Sequence, residues 1–170
     1  ISSLGEKKKT YPNINVSVST FVPKPHTPFQ WESQIPLEEM KEKLSFLREE
    51  LKKNRLRLKW QDPHLSFLEG IFSIGDRTLS PVLVEAHRLG CRFDGWSDQF
   101  HYPYWKEAVE KMGLMMNSYG RKKRFEEVLP WSFIDTGIEP TFLWEEYQRG
   151  LTEQTSPPCE ANCYRCGVCD

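Results

Sequence analysis

The chain has no long apolar run: nowhere do its 170 residues approach the about 20 consecutive apolar positions that a membrane-spanning helix requires. It also lacks a dominant sign of charge. With 23 basic and 24 acidic residues the net charge is −1, so no one-signed field draws in nucleic acid or a membrane surface nonspecifically. The opening Ile1-Ser2-Ser3-Leu4-Gly5-Glu6-Lys7-Lys8-Lys9 has neither an initiator methionine nor a signal-peptide core, and reads as a cut made inside a longer chain. A Gly-rich phosphate loop, a Ser/His/Asp arrangement, an H-E-x-x-H motif and an internal repeat are all missing, which removes the simplest hydrolase and zinc-peptidase readings. Cysteine is scarce outside one place: Cys91 stands alone, whereas Cys159, Cys163, Cys166 and Cys169 fall within eleven residues. An exported disulfide scaffold would spread its cysteines to staple distant segments. The clustered set points instead to a metal in a reducing compartment, with the cytoplasm as the expected location and no membrane partner.

A 38 % hydrophobic share with 13 % aromatic residues supplies ample core for one folded unit. Residues 16–22 alternate Val16, Val18 and Thr20 against Ser17, Ser19 and Phe21, a period of two that predicts a strand. Pro23, Pro25 and Pro28 then remove backbone donors and enforce an extended exit. Leu37, Met40, Leu44, Leu47 and Leu51 lie at spacings of 3, 4, 3 and 4, one stripe of a helix that Pro36 opens and Asn54 closes. Residues 55–60 alternate as a second short strand. Asp62 caps a helix with Pro63 at its first position and Leu65, Leu68, Ile71 and Phe72 inside. A following helix begins at Asp76 or at Ser80-Pro81, buries Leu79, Val82, Leu83, Ala86 and Leu89, and stops at Gly90. Six aromatics crowd residues 93–105, and Trp105, Val109 and Met112 continue at helical spacing. Residues 114–119 make one more turn, 129–131 a loop and 140–147 a last short helix, and residues 152–158 have linker composition.

The strongest chemical signal is Cys159-Glu-Ala-Asn-Cys163-Tyr-Arg-Cys166-Gly-Val-Cys169. Thiolates ligate iron–sulfur clusters and zinc alike. Overlapping C-x2-C pairs are awkward to close into a zinc tetrahedron, but they resemble the tight ligand loop of a 4Fe-4S cluster. A zinc clip, or free thiols at a terminus, are the other readings. Cys159, Cys163 and Cys166 share the C-x3-C-x2-C spacing of the radical S-adenosylmethionine (SAM) signature. That loop normally precedes most of a barrel, so this run is rejected as the SAM-cleaving site. His26, His64, His87 and His101 are scattered and read as structural or surface residues; Asp76, Arg77, Asp94 and Asp98 read as caps or mutual partners. Arg121-Lys122-Lys123-Arg124 is followed by Glu126 and Glu127 and reads as a solvated helix face rather than an RNA contact.

Together, the segments 16–31 (Val-Ser-Val-Ser-Thr-Phe-Val-Pro-Lys-Pro-His-Thr-Pro-Phe-Gln-Trp), Gly75-Asp76-Arg77, Gly90-Cys-Arg-Phe-Asp-Gly-Trp96, Leu129-Pro-Trp131 with Ile134-Asp135, and the cysteine tail resemble one family. It is the family of radical SAM proteins with an amino-terminal cobalamin-binding domain, often linked to a small radical-SAM-associated domain. The resemblance implies that residues 1–31 hold the last strand and exit of a partial (β/α)6 barrel. Residues 32–150 would be a mostly α extension, and residues 151–170 a linker and four-cysteine metal-binding tail. For the parent enzyme it implies SAM and a 4Fe-4S cluster, with cobalamin as an optional methyl carrier; the resemblance leaves the substrate unassigned, open to RNA or a small molecule. The cobalamin and amino-terminal radical SAM domains would be this piece's partners, and alone it would not cleave SAM. The expected role is an auxiliary metal centre on Cys159, Cys163, Cys166 and Cys169 with helices covering the barrel. The alternative is a noncatalytic, zinc-stapled module that binds a protein or RNA. A lone strand leaves both edges unpaired, so the first thirty residues are expected to be poorly anchored and residues 35–150 to form the stable body.

Overall fold

The computed structural model describes residues 14–53, 56–159, 163 and 165–168. Asn54 and Arg55, expected to end the first helix and open the second strand, lie outside the described residues, as does Cys169. The fold is mostly α, with 48 % helix and two short parallel strands. Strand β1 (Asn15–Val18) leads through a one-turn 3-10 helix (Pro28–Trp31) to α1 (Leu37–Lys53), and β2 (Arg57–Trp60) follows. Next come α2 (Pro63–Ile74), a 3-10 turn (Arg77–Leu79), α3 (Ser80–Leu89), α4 (Tyr102–Lys111), α5 (Met116–Tyr119) and α6 (Pro140–Leu151). Among the described residues, no helix is long and apolar enough to cross a membrane.

Strand β1 is shorter than the periodicity of residues 16–22 predicts, and it is not alone. It pairs in parallel with β2, with Asn15 opposite Arg57 and Val18 opposite Trp60. The connection between them is a helical crossover, as parallel pairing demands. One edge of β1 is thus satisfied within the chain, a correction to the single-strand expectation.

Helix α2 is the hub. Asp62 accepts from the His64 N–H as its cap, and Pro63 occupies the first turn. Its buried residues cover a broad face and leave Glu69 exposed, as befits a helix enclosed on several sides. Leu68 joins Val82, Ala86, Cys91, Trp105, Ala108 and Val109 in a cluster between α3 and α4. Phe67 and Ile71 pack with Met40 and Leu79. Ile74 joins Trp31, Leu129, Trp131, Leu143 and Tyr147. Both candidate starts of the next helix are used: Asp76 caps the 3-10 turn through the Thr78 N–H, and Ser80-Pro81 opens α3. Gly90 ends α3 at φ 107, in the left-handed region that glycine tolerates.

One expectation fails on packing. Leu83, placed on the inner face of α3 by spacing, is 48 % exposed. Of the α1 stripe only Met40 is buried, while Leu44, Leu47 and Leu51 remain half-buried. The described part of the first thirty residues, 14–30, departs from the expected loose anchoring. Pro23, Gln30 and Trp31 are buried, and Trp31 is 1 % exposed. Its indole meets Trp144 edge-on at 5.1 Å and lies 6.2 Å from Tyr147, so α6 holds the segment that β1 alone would not.

Candidate functional site

Three of the segments singled out by sequence meet at one point. The 3-10 turn Pro28–Trp31 packs against α6, which places the Gln30 side chain in the interior, 3 % exposed. Its Oε1 accepts from the Trp131 Nε1–H at 2.6 Å and from the His26 backbone N–H at 3.0 Å. One amide oxygen therefore ties the proline-rich exit to the Leu129-Pro-Trp131 loop. His26 reaches this position with φ 55, a left-handed conformation uncommon for a residue with a side chain. On the other side of Trp131 lies Gly75-Asp76-Arg77: a groove there is lined by Pro25, Asp76, Arg77, Pro130, Trp131 and Ile134. The fourth segment is elsewhere. Cys91 sits in the α3–α4 cluster, and Asp94 accepts from the Trp105 Nε1–H at 3.3 Å, which fixes the loop to α4. Phe93 and Trp96, 69 % and 63 % exposed, contact each other at 5.9 Å on the surface.

A cavity of about 310 Å³ opens at this junction, with His26, Gln30 and Trp31 on one wall, Leu129 and Trp131 on another, and Asp135 and Ile138 of the following loop. His26 Nε2 and Trp31 Nε1 are both buried and have no hydrogen-bond partner among the described residues. Buried polar atoms in folded proteins are nearly always paired, so these two nitrogens, sealed within the packing, are exceptions.

The same loop holds the cysteine tail. Asp135 Oδ1 accepts from the Gly137 N–H at 2.8 Å, and the Glu139 N–H donates to the Cys166 carbonyl at 2.8 Å. Gly167, at φ 91, lies so close to this loop that a Cβ would stand 2.6 Å from the Gly137 carbonyl; only glycine permits the approach. Docking at Glu139 sets the Cys166 backbone beside the amino terminus of α6. Cys159 and Cys163 are exposed, Cys166 is half-buried, and none of the three is in a disulfide. Among the described residues, no three His, Cys, Asp or Glu side chains stand close enough to share a metal ion. The fit to a soft metal thus lies in the donor chemistry and in the docking of Cys166, while Cys169 lies outside the described residues.

Of the other histidines, His64 pairs with Asp62 at 2.9 Å and His87 accepts from Arg92 Nε at 3.3 Å, while His101 lies 5.5 Å from the Tyr104 ring. The basic run is not a helix face. Arg121 forks onto Glu127, which also accepts from the Arg124 N–H, and Lys122 pairs with Glu32 at 3.3 Å. Lys123 is 7 % exposed, its ammonium 5.9 Å from the Trp131 ring centre; burial pushes its pKa down. Tyr147 Oη donates to Glu32 at 2.7 Å, which closes the junction from the α6 side. Comparison of the chain with protein families, with curated proteins and with solved structures gives no match.

Proposed function

We propose that this chain is the carboxy-terminal part of a radical SAM enzyme, in which it covers one flank of the barrel and holds an auxiliary metal centre on Cys159, Cys163, Cys166 and Cys169. The observation that carries the reading is the parallel β1–α1–β2 unit. Parallel sheets occur almost only inside larger α/β layers, and two strands of four residues do not make a stable sheet by themselves. Ile14, Phe21, Phe46 and Trp60 are 45–63 % exposed around this unit, apolar surface of the kind that further barrel strands and helices would cover. The convergence of the proline-rich exit, Gly75-Asp76-Arg77 and Leu129-Pro-Trp131 on one junction adds support, since the same segments carry the family resemblance.

Within this reading the four thiolates hold the metal, and an iron–sulfur cluster there would supply one-electron transfer. The chain's own contribution is positional. The Glu139 N–H fixes the backbone at Cys166, and Gly167 admits close approach of the tail to the 137–139 loop. The interaction-module reading keeps its exposed Phe93 and Trp96, but its RNA form is not favoured, because Arg121, Lys122 and Arg124 are paired within the chain and Lys123 is buried.

Anaerobic purification followed by iron, sulfide and zinc analysis, with EPR of the reduced protein, tests the proposal. About four irons and four sulfides per chain, the content of one cubane cluster, lost in Cys163→Ala and Cys166→Ala, are the expected result. One zinc without iron would replace the redox role by a structural clip.

A further inference from the structure

We propose that the cleft between Gly75-Asp76 and the Leu129-Pro130 loop is a binding site for a small monocarboxylate with an apolar body, held through Lys123. The cleft has a volume of about 360 Å³, and Lys123 stands in its wall, 7 % exposed. Its backbone fixes it there, because the Lys123 N–H donates to the Trp31 carbonyl at 2.8 Å. The ammonium makes one hydrogen bond, a long one of 3.3 Å to the Tyr119 carbonyl, and no ion pair among the described residues. The Trp131 ring centre, 5.9 Å away, is at the outer limit of a cation–π contact. An ammonium carries three donors and is costly to bury without an opposite charge. The position is therefore short of an anionic acceptor.

Charge sets the class of ligand. The other charged groups of the cleft are already matched. Both Glu127 oxygens are taken by the Arg121 fork, and Asp76 Oδ1 accepts from the Thr78 N–H and hydroxyl beside the Arg77 charge. Lys123 is the cation left over, so one negative charge completes the cleft. A second would face Asp76 and Glu127 without a free cation, which disfavours a phosphate dianion. Ile74, Leu129 and Pro130 supply an apolar wall for a short hydrocarbon body. The inference does not depend on the metal reading, because none of these groups belongs to the cysteine tail.

The test uses the full chain, 13C-labelled on lysine and 15N-labelled on its indoles, titrated separately with isovalerate, its neutral amide isovaleramide, and inorganic phosphate. Isovalerate is expected to move the Lys123 13Cε resonance saturably in the millimolar range. It should also raise the pH at which that resonance titrates, because a bound anion favours the ammonium form. The amide and phosphate should bind about tenfold more weakly or worse, the scale of one charge-assisted hydrogen bond. Lys123→Met keeps the bulk of the stem but removes the charge, and should weaken isovalerate by a similar factor, read from the Trp131 indole N–H resonance. Lys122→Met removes a neighbouring cation that pairs with Glu32 and does not line the cleft, and should leave affinity within about twofold. No saturable Lys123 shift with isovalerate, equal affinity for the amide or for phosphate, or unchanged affinity in Lys123→Met would each overturn the assignment. Repeating the titration on chelator-treated protein separates it from the metal proposal.

Discussion

Replacing Gln30 by Leu should destabilise the chain by about 2–4 kcal/mol. The two side chains have similar volume, so the cost comes from hydrogen bonding rather than from a cavity. Trp131, 6 % exposed, would lose the acceptor that now stands 2.6 Å from its Nε1. A buried donor left unpaired costs about 1–3 kcal/mol. The His26 N–H, part-buried and 3.0 Å from the same oxygen, adds a contribution toward the lower end of that range. At about 2–4 °C per kcal/mol for a chain of this length, the melting temperature should fall by roughly 4–16 °C. Urea unfolding followed by tryptophan fluorescence reads the change directly, with the midpoint lowered at constant slope. Gln99→Leu provides the control: Gln99 is exposed and bonded only to Asp98, so its loss should stay within about 0.5 kcal/mol. Adding Trp131→Phe to Gln30→Leu removes donor and acceptor together, and the double-mutant cycle should return a coupling of about 1–3 kcal/mol. A loss below about 1 kcal/mol for Gln30→Leu, or a coupling near zero, would refute the view that one amide oxygen joins the two segments.

Gly75→Ala should cost about 1–3 kcal/mol in thermal or chemical melts, although φ −79 suits alanine, because its Cβ would stand 2.6 Å from the Ile71 carbonyl and against Leu79. The Glu127 carboxyl is held down at about 2 by the Arg121 guanidinium and the Arg124 N–H. Its stabilising contribution is complete above the ordinary value of 4.5 and is lost as pH falls from there toward 2, so Glu127→Gln should flatten that part of the acid unfolding curve. Burial, with Asp94 nearby, pushes the Cys91 thiol up to about 11, so iodoacetamide at neutral pH should label Cys159 and Cys163 but spare Cys91 until the protein is unfolded; mass mapping checks this. Glu139→Pro removes the one N–H that bonds Cys166 while suiting the native φ of −63, and should raise the Cys166 alkylation rate about threefold to tenfold relative to Cys163.

What was legible in the sequence was local. Asp62-Pro63 announced the start of α2, Gly90 the end of α3, and alternation at Arg57–Trp60 the second strand, because caps, left-handed stops and period two are written within a few residues. The partner of β1 was not legible, since parallel pairing joins residues forty-two positions apart and leaves no local mark. Leu83 fits the helical stripe but faces outward, because α4 covers α3 on the Val82–Ala86 side. The basic run was misread as a helix face; its charges are spent on Glu127 and Glu32, and Glu32 lies some ninety residues away. His26, set aside as one of four scattered histidines, is tied to the Trp131 loop only indirectly, through the Gln30 amide oxygen that accepts from both the His26 and the Trp131 N–H.

Residues 135–139 join the cavity beside Trp131 to the cysteine tail. One face of this loop lines the cavity through Asp135 and Ile138, and its end holds the tail through the Glu139–Cys166 hydrogen bond. Gly137 sits between, at φ 73, with its N–H fastened to Asp135, so the loop is bent in a manner that few other residues would adopt. A metal that fixes the tail would therefore also favour the ordered form of this loop, and by linkage the ordered loop would favour the metal by the same factor. The size of that coupling is bounded by the contacts that carry it, one backbone hydrogen bond and one Asx turn, so it should not exceed about tenfold. Much stronger coupling would require contacts other than these.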